Sequence, residues 1–160
     1  MAVYVAPGLA GTGVFVDRAY ARGEVILDIH GPVHSGAELD AIGFRPGYPL
    51  QIELDRYMVV EPPFVYCNHC CDPNGGITPD LKLVAVRDIE AGEEVCFDYS
   101  STMLEDNSWT MECGCKTAKC RGKVEDFDRL PAEAQRYLLD EVGVLPFIVR
   151  ALGLQRGTPA

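Results

Sequence analysis

Glycine and proline divide the first hundred residues of the chain into short segments. The whole sequence has 16 glycines and 11 prolines, and short runs rich in Val, Ile, Leu and aromatic residues lie between them. Short apolar runs bounded by Gly, Pro and Asp are typical of β-strands. The sequence therefore predicts a mainly β fold, with strands over 2–5, 13–16, 24–30, 50–54, 57–61, 81–86 and 93–97.

Two local patterns predict how some of these strands connect. Apolar and polar residues alternate over 50–54, and Asp55-Arg56 separates this run from the apolar residues 57–60, which favours a half-buried hairpin. Arg18 precedes Gly23-Glu24 by the same interval as Arg87 precedes Gly92-Glu93. Because a strand is predicted after each Gly-Glu pair, we expect two corners of similar build.

Length, composition and charge restrict the classes of protein to which this chain can belong. The 160 residues are 48% hydrophobic and 24% charged, which fits one globular domain and excludes wholesale disorder. Lys+Arg 14 against Asp+Glu 24 gives a formal charge of −10. This charge argues against direct binding of nucleic acid, because phosphate contacts need a basic surface. It fits a basic partner, although it also fits a role in solubility alone.

The sequence also predicts where the protein works. No apolar run approaches the roughly 18 residues of a membrane-spanning helix, and the N-terminus lacks the basic start and apolar stretch of a signal peptide. We therefore expect an intracellular protein without membrane association, cytoplasmic in a prokaryote and with the nucleus as an alternative in a eukaryote.

Three of the seven cysteines are spaced like metal ligands. Cys113, Cys115 and Cys120 form the sequence C-G-C-K-T-A-K-C, and a thiolate site of this kind needs a fourth ligand. Cys71 is the candidate, which would complete a closed, structural Zn²⁺ site with no open position for water. The odd number of cysteines and the absence of an export signal favour free thiols over disulfides.

The composition changes near residue 125, and the last part of the chain is expected to be helical. Pro131 and Glu133 suit a helix start, while Ala134, Leu138 and Val142 share one face. Gly143 is expected to end this helix, and Pro146 to begin a second short one. The extension either packs on the domain or has a functional role.

Three segments carry residues suited to chemistry: 11–15, 67–74 and 92–99. The first contains Gly11-Thr12-Gly13, which by itself is typical of a plain turn. The second places Asn68 and His69 beside two cysteines in a polar, turn-forming cluster. Such a cluster is either a structural turn or an active loop, because buried polar groups need hydrogen-bond partners.

These segments together resemble one family, the SET-domain protein lysine methyltransferases. Residues 68–74, N-H-C-C-D-P-N, are similar to the family's N-H-S-C-x-P-N signature, and residues 94–99, E-V-C-F-D-Y, resemble its E-L-x-[FY]-D-Y segment. The opening G-x-G of the family matches 11–13. The cysteine pattern of 113–122 resembles the zinc-binding post-SET segment, whose fourth ligand in the family is the Cys of N-H-S-C, here Cys71.

The resemblance implies a fold and a division of the chain. The fold would be a SET-type, mainly β arrangement of several small sheets with a C-terminal pseudoknot, a zinc-clipped post-SET segment and a short helical appendix. The SET domain would span 1–110, the zinc segment 111–125 and the helical extension 126–160.

The resemblance also implies a reaction and its cofactor. S-adenosylmethionine would give a methyl group to the side-chain amine of a lysine and leave as S-adenosylhomocysteine. Tyr99 would be the catalytic residue, and Phe97 and Tyr48 would line the substrate channel. Phe at position 97 favours di- or trimethylation. The cofactor contacts implied are Gly11, Thr12, Gly13, Asn68 and His69.

The expected substrate is a basic, lysine-containing protein or peptide, such as a histone-like protein, because the chain is acidic. Two alternatives remain at this point. One is an inactive SET-like module that binds a basic peptide without modifying it. The other is a methyltransferase that acts on a non-histone protein or on a small molecule.

Overall fold

A computed structural model of the protein describes residues 2–155. Met1 of the predicted SET domain and residues 156–160 of the predicted extension lie outside the described residues. The strands found within 2–155 are short: β1 (Val3–Gly8), β2 (Gly11–Val16), β3 (Val25–Asp28), β4 (Val33–His34), β5 (Leu50–Glu53), β6 (Arg56–Met58), β7 (Asn68–His69), β8 (Gly75–Ile77), β9 (Lys82–Ala85), β10 (Glu94–Phe97), β11 (Met111–Glu112) and β12 (Lys123–Val124).

The helical elements are short as well, and none of them in the described part of the chain is long and apolar enough to cross a bilayer. They are α1 (Gly36–Ile42), α2 (Ala132–Tyr137), α3 (Pro146–Ala151), 3₁₀ turns over Phe64–Tyr66, Tyr99–Thr102 and Phe127–Arg129, and a π-helical turn over Leu138–Val142. The predicted fold class is confirmed: several small sheets with short helices.

The strands form small separate sheets, and one of them places segments of the three sequence motifs 11–15, 67–74 and 92–99 side by side. Its order is β1-β2-β10-β7. Strand β10 pairs antiparallel with β2 and parallel with β7, so that Cys96 lies opposite Asn68 and Phe97 opposite His69. The other sheets, within residues 2–155, have the orders β3-β9-β8, β4-β6-β5 and β11-β12.

The predicted hairpin exists, but its turn lies one residue earlier than expected. Glu53 pairs with Arg56, so the turn residues are Leu54 and Asp55 rather than Asp55 and Arg56. The carboxylate of Asp55 accepts a hydrogen bond from the backbone N–H of Gly36 at 2.9 Å. This contact ties the turn to the start of α1.

The two predicted corners are confirmed, and they lie against each other. Gly23 and Gly92 have φ of 91° and 87°, a backbone conformation that glycine adopts without steric cost. In each corner a glutamate carboxylate accepts a backbone N–H at 2.6 Å. Tyr20 and Ile89 exchange two backbone hydrogen bonds of 2.9 Å between the corners.

The sequence analysis did not predict α1, although its signals are present. Ser35 and Glu38 form a reciprocal capping box at its start, and Gly43 caps its end. The interval between Ser35 and Glu38 is the S-x-x-E spacing of this motif. The helix buries only Leu39, so its sequence lacks the repeated apolar positions that usually reveal a helix.

The C-terminal extension packs on the sheets, which is one of the two alternatives that the sequence leaves open. Leu138 is fully buried and Val142 is buried beside it, while Gly143 caps the π-helical turn and Pro146 begins α3. A Cβ atom at Gly76 would lie 2.6 Å from the carbonyl oxygen of Val142. The extension therefore approaches strand β8 as closely as glycine permits.

Candidate active site and thiolate cluster

A cavity of about 870 Å³ opens beside the β7-β10 pair. Five of the residues predicted to form the site lie in its wall, which means that the fold brings together parts of the chain that are far apart in sequence. They are Thr12, Tyr48, Asn68, Phe97 and Tyr99. Gly11, Gly13 and His69 are not among its lining residues.

The side chain of Asn68 connects the cavity to the turn between β1 and β2. Its Nδ2 donates to the carbonyl oxygen of Thr12 at 3.0 Å and to Oε1 of Glu94 at 2.8 Å. Both amide protons are therefore used within the protein. The amide oxygen is the polar atom of this side chain that remains for a ligand.

Glu94 is a site residue that the sequence analysis did not single out. Its Oε2 accepts the backbone N–H of Leu9 at 3.1 Å. Its carboxylate also fills the space that Gly8 and Gly13 leave open, since a Cβ atom at these glycines would lie 2.6 Å and 2.3 Å from Oε1. No local sequence pattern indicates this role, because the hydrogen-bond partners of Glu94 lie in distant segments of the chain.

His69 faces away from the cavity, toward the cysteines. Its Nδ1 accepts the backbone N–H of Tyr99 at 3.1 Å, so the proton of the neutral ring lies on Nε2, which is 3.3 Å from Sγ of Cys71. The side chain is 1% exposed. Burial lowers the pKa of His69 to about 4 despite the nearby carboxylate of Asp98, which keeps the ring neutral at pH 7.

Tyr99 lies in an apolar part of the cavity wall, and its hydroxyl forms a hydrogen bond within the protein. The hydroxyl donates to the carbonyl oxygen of Cys67 at 2.8 Å, and the ring centroid is 4.8 Å from that of Phe97. Phe97 in turn stacks on Phe64 at 5.3 Å. Burial raises the pKa of Tyr99 above its ordinary value, so the hydroxyl stays protonated.

A buried ion pair links the residue between β10 and the turn that carries Tyr99 to the cysteine-rich segment. The guanidinium of Arg121 donates to both carboxylate oxygens of Asp98, at 2.7 Å and 2.9 Å. The side chain of Asp98 is 0% exposed and that of Arg121 is 11% exposed. Two parallel charge-assisted hydrogen bonds of this kind fix the relative position of the two segments.

The four cysteines predicted as zinc ligands lie together. Their sulfur atoms are all within 4.8 Å of one another, with 3.7 Å between Cys71 and Cys113 and 3.8 Å between Cys113 and Cys120. Tetrahedral Zn²⁺ with Zn–S bonds of about 2.3 Å requires S–S distances of about 3.8 Å. The donor set and its spacing therefore fit a zinc ion.

These sulfurs do not all favour the thiolate form that binds metal. Burial raises the pKa of Cys71, and it raises the pKa of Cys113 to about 11. Although burial raises it, hydrogen bonds from Thr117 and from the backbone lower the pKa of Cys115 to about 6. The backbone N–H of Arg121 points at Sγ of Cys71, at 3.4 Å. The N–H groups of His69 and Arg121 are thus placed to stabilise negative charge on Cys71.

The fold and the site define a class of protein that comparison with known families identifies. The model of the SET domain matches residues 11–100, more than half of the chain. The chain belongs to the SET domain family.

Two curated relatives illustrate the similarity. Residues of this chain are 38% identical over 96 residues to the H3 lysine-9 specific histone-lysine N-methyltransferase dim-5 of Neurospora crassa, covering 48% of this chain and 28% of that protein. The probable histone-lysine N-methyltransferase set-23 of Caenorhabditis elegans is 38% identical over 64 residues, covering 35% of this chain and 26% of that protein. The chain thus spans less than a third of the length of these relatives.

One solved structure shows the same fold. A chain of a humanized mutant of the Chaetomium thermophilum Polycomb Repressive Complex 2, bound to the inhibitor GSK126, superposes with a TM-score of 0.56 and 24% identity. The match covers 64% of this chain and 15% of that chain. At this identity the comparison bears on the fold alone.

Proposed function

We propose that the protein is an S-adenosylmethionine-dependent protein-lysine N-methyltransferase. The observation that carries the proposal is the meeting of Asn68, Phe97 and Tyr99 in one cavity wall, in a chain of the SET family whose relatives are named as histone-lysine N-methyltransferases.

The cofactor would bind where the β1-β2 turn meets Asn68. The backbone of Gly11, Thr12 and Gly13 and the amide oxygen of Asn68 are the groups that would hold it. His69 would contribute through its main chain, because its ring is turned toward Cys71. S-adenosylmethionine would supply a methyl group on a sulfonium: the amine nitrogen would bond to the methyl carbon as its bond to sulfur breaks, with S-adenosylhomocysteine as the leaving group.

The cavity wall would prepare the lysine for this displacement. The amine must be neutral, whereas a free lysine has a pKa of about 10.4. The apolar rings of Phe64, Phe97 and Tyr99 disfavour the ammonium form by desolvation, and a neighbouring sulfonium disfavours it by repulsion. The lysine proton would leave to solvent before its nitrogen attacks, and the hydroxyl of Tyr99 would orient the reacting groups.

Phe97 supports a preference for di- or trimethylation. Its ring is buried and carries no hydroxyl that could hold a water molecule in the space of an added methyl group. Tyr48 lies in the same cavity wall and is 56% exposed. This position suits a residue at the mouth of the substrate channel.

We infer that Cys71, Cys113, Cys115 and Cys120 hold one structural Zn²⁺ and that 111–125 is a post-SET segment. The sulfur spacing supports this assignment. With four thiolates the site would keep no open position for substrate or water, so the ion would stabilise the segment and take no part in the chemistry.

We propose a basic, lysine-containing protein as the substrate. The formal charge of −10 favours encounter with such a partner, and the relatives are named for histones. The substrate's amine would reach the cavity through its mouth near Tyr48.

The proposal is tested by titrating the zinc-loaded protein calorimetrically with S-adenosylmethionine and S-adenosylhomocysteine. A mixture of histones is then incubated with the protein and S-adenosylmethionine, and the increase in mass at lysine residues is measured by mass spectrometry. Saturable one-to-one binding and mass gains of 14, 28 or 42 Da, one to three methyl groups of about 14 Da each, are expected on lysine. Binding of a basic peptide without any methylation in a cofactor-saturated sample would favour the inactive module instead.

A further inference from the structure

We propose that Glu94 is a positioning residue that joins the β1-β2 turn and Asn68 into one ligand-binding unit. The inference rests on the proposed function, because the unit is the one expected to hold the cofactor. Glu94 itself contacts no part of the expected reaction, and it acts through the groups on either side of it.

The carboxylate uses its two oxygens for two different donors. Oε2 accepts from the backbone N–H of Leu9 at 3.1 Å, and Oε1 accepts from Nδ2 of Asn68 at 2.8 Å. The other amide proton of Asn68 goes to the carbonyl oxygen of Thr12 at 3.0 Å. Leu9 and Thr12 lie on the two sides of the turn, so the three contacts close a ring that includes it.

The carboxylate of Glu94 explains why the residues that pack against it beside the turn are glycines. The atoms nearest to a Cβ built at Gly13 all belong to Glu94, and the shortest distance is 2.3 Å. A Cβ atom built at Gly8 would also lie nearest to the carboxylate of Glu94, at 2.6 Å from Oε1. Gly11 differs, because a Cβ there would meet nothing within 4 Å. A Cβ atom at Gly13 would therefore displace the Glu94 carboxylate from its hydrogen bonds, whereas Gly11 serves the turn itself, with a φ of 92°.

The three contacts also determine which atom of the Asn68 side chain is available to bind a ligand. Because both amide protons are bound to acceptors inside the protein, the amide cannot rotate by half a turn without losing both bonds. Its oxygen is therefore held as an acceptor in the cavity wall. A ligand atom at this point must be a hydrogen-bond donor, such as an ammonium, an amide N–H or a hydroxyl group.

The variant Glu94→Gln tests the role with little change of shape. Glutamine has one oxygen, so either Leu9 or Asn68 would face an NH₂ group in place of an acceptor. We expect the Kd for S-adenosylhomocysteine to rise about tenfold, because Asn68 is no longer held in position for the ligand. The melting temperature should fall by only a few degrees, because one internal hydrogen bond to a charged group is lost. Glu90→Gln, at an exposed position in the corner that leads into β10, is the matched control and should bind as the wild type does.

Two readouts separate positioning from general damage to the fold. In ligand-free protein the side-chain amide protons of Asn68 should be protected from solvent exchange, as followed by NMR, and lose protection in Glu94→Gln. In a double-mutant cycle, Gly13→Ala should weaken binding about tenfold in the wild type and have no added effect beside Glu94→Ala, where the space is free.

Wild-type affinity in Glu94→Gln with Asn68 still protected would overturn the inference, and so would additive effects of Gly13→Ala and Glu94→Ala. A wild-type protein that binds neither S-adenosylhomocysteine nor S-adenosylmethionine would overturn the proposed function instead. In that case the exchange of the Asn68 protons still decides whether Glu94 positions this side chain.

Discussion

At the scale of single residues, Tyr99 combines a fixed hydroxyl with apolar surroundings. The main-chain carbonyl of Cys67 holds the hydroxyl, and the ring of Phe97 packs beside it. The group is thus oriented by the fold before any ligand binds. Preorganised groups of this kind contribute to catalysis because they need no reorganisation during the reaction.

We expect Tyr99→Phe to lower turnover by about 10- to 100-fold, equivalent to the loss of about 1.4 to 2.7 kcal/mol of transition-state stabilisation. The ring remains, so the melting temperature and the affinity for S-adenosylhomocysteine should change little. Steady-state kinetics with a methylatable peptide measure the effect. Tyr4→Phe, on the exposed side of β1, is the control, and equal rates in the two variants would remove Tyr99 from the mechanism.

Arg121 offers a stability test at the same scale. Arg121→Ala would leave the carboxylate of Asp98 buried without its partner, and such a change costs about 3–5 kcal/mol. Lys123→Ala removes a largely exposed partner of Glu125 and should cost no more than about 1 kcal/mol. Urea unfolding of both variants gives the comparison. A loss in Arg121→Ala as small as that in Lys123→Ala would show that water reaches Asp98.

Residues of the site differ in how well the sequence reveals them. The motif resemblance led to Asn68, Phe97 and Tyr99, which the fold gathers in one cavity wall. The matched motifs contain Glu94, Asp98 and Arg121, but the resemblance gave no role to Glu94 and did not predict the ion pair. Their partners lie far along the chain, 23 residues apart in the case of the ion pair, and no local periodicity records a contact of that kind.

At the scale of elements, the secondary structure was predicted correctly where a strand or helix is long enough for its apolar residues to show a regular spacing. The hairpin of β5 and β6 alternates visibly, and its turn was misplaced by one residue only. Strand β7 has two residues, too few for any alternation, and its existence depends on the pairing with β10. Helix α1 has clear caps but buries a single side chain, so its apolar signal is weak.

The cysteine-rich segment gives a prediction at this scale. β11 and β12 are two residues each, so we expect the proposed zinc site to hold the segment in place. Cys115→Ser should lower the zinc content, measured by mass spectrometry of the metal, and speed hydrogen exchange over 111–124 while the β1-β2-β10 sheet stays protected.

Cys67→Ser is the matched control, because Cys67 lies outside the cluster and its thiol donates to the carbonyl oxygen of Val95. This variant should keep one zinc ion per chain. A wild-type protein purified without chelators that contains no zinc would contradict the assignment of the four thiolates.

At the scale of the whole molecule, net charge connects the sequence with the proposed substrate. Since the formal charge is −10, long-range attraction should speed the capture of a basic peptide, and salt should weaken it. We expect kcat/KM for such a peptide to fall severalfold between about 50 and 500 mM NaCl, across which the screening length shortens. The affinity for S-adenosylhomocysteine, measured in the same buffers, should change much less.

The ion pair between Asp98 and Arg121 also affects how the protein is made. Synthesis proceeds from the N-terminus, so the strands of the central sheet leave the ribosome before Arg121 does. Until that residue emerges, the carboxylate of Asp98 has no counterion for a position that the finished fold buries completely. A nascent chain that stops short of residue 121 therefore lacks the stabilisation from this ion pair, which forms only when the segment that also brings the last three cysteines has left the ribosome.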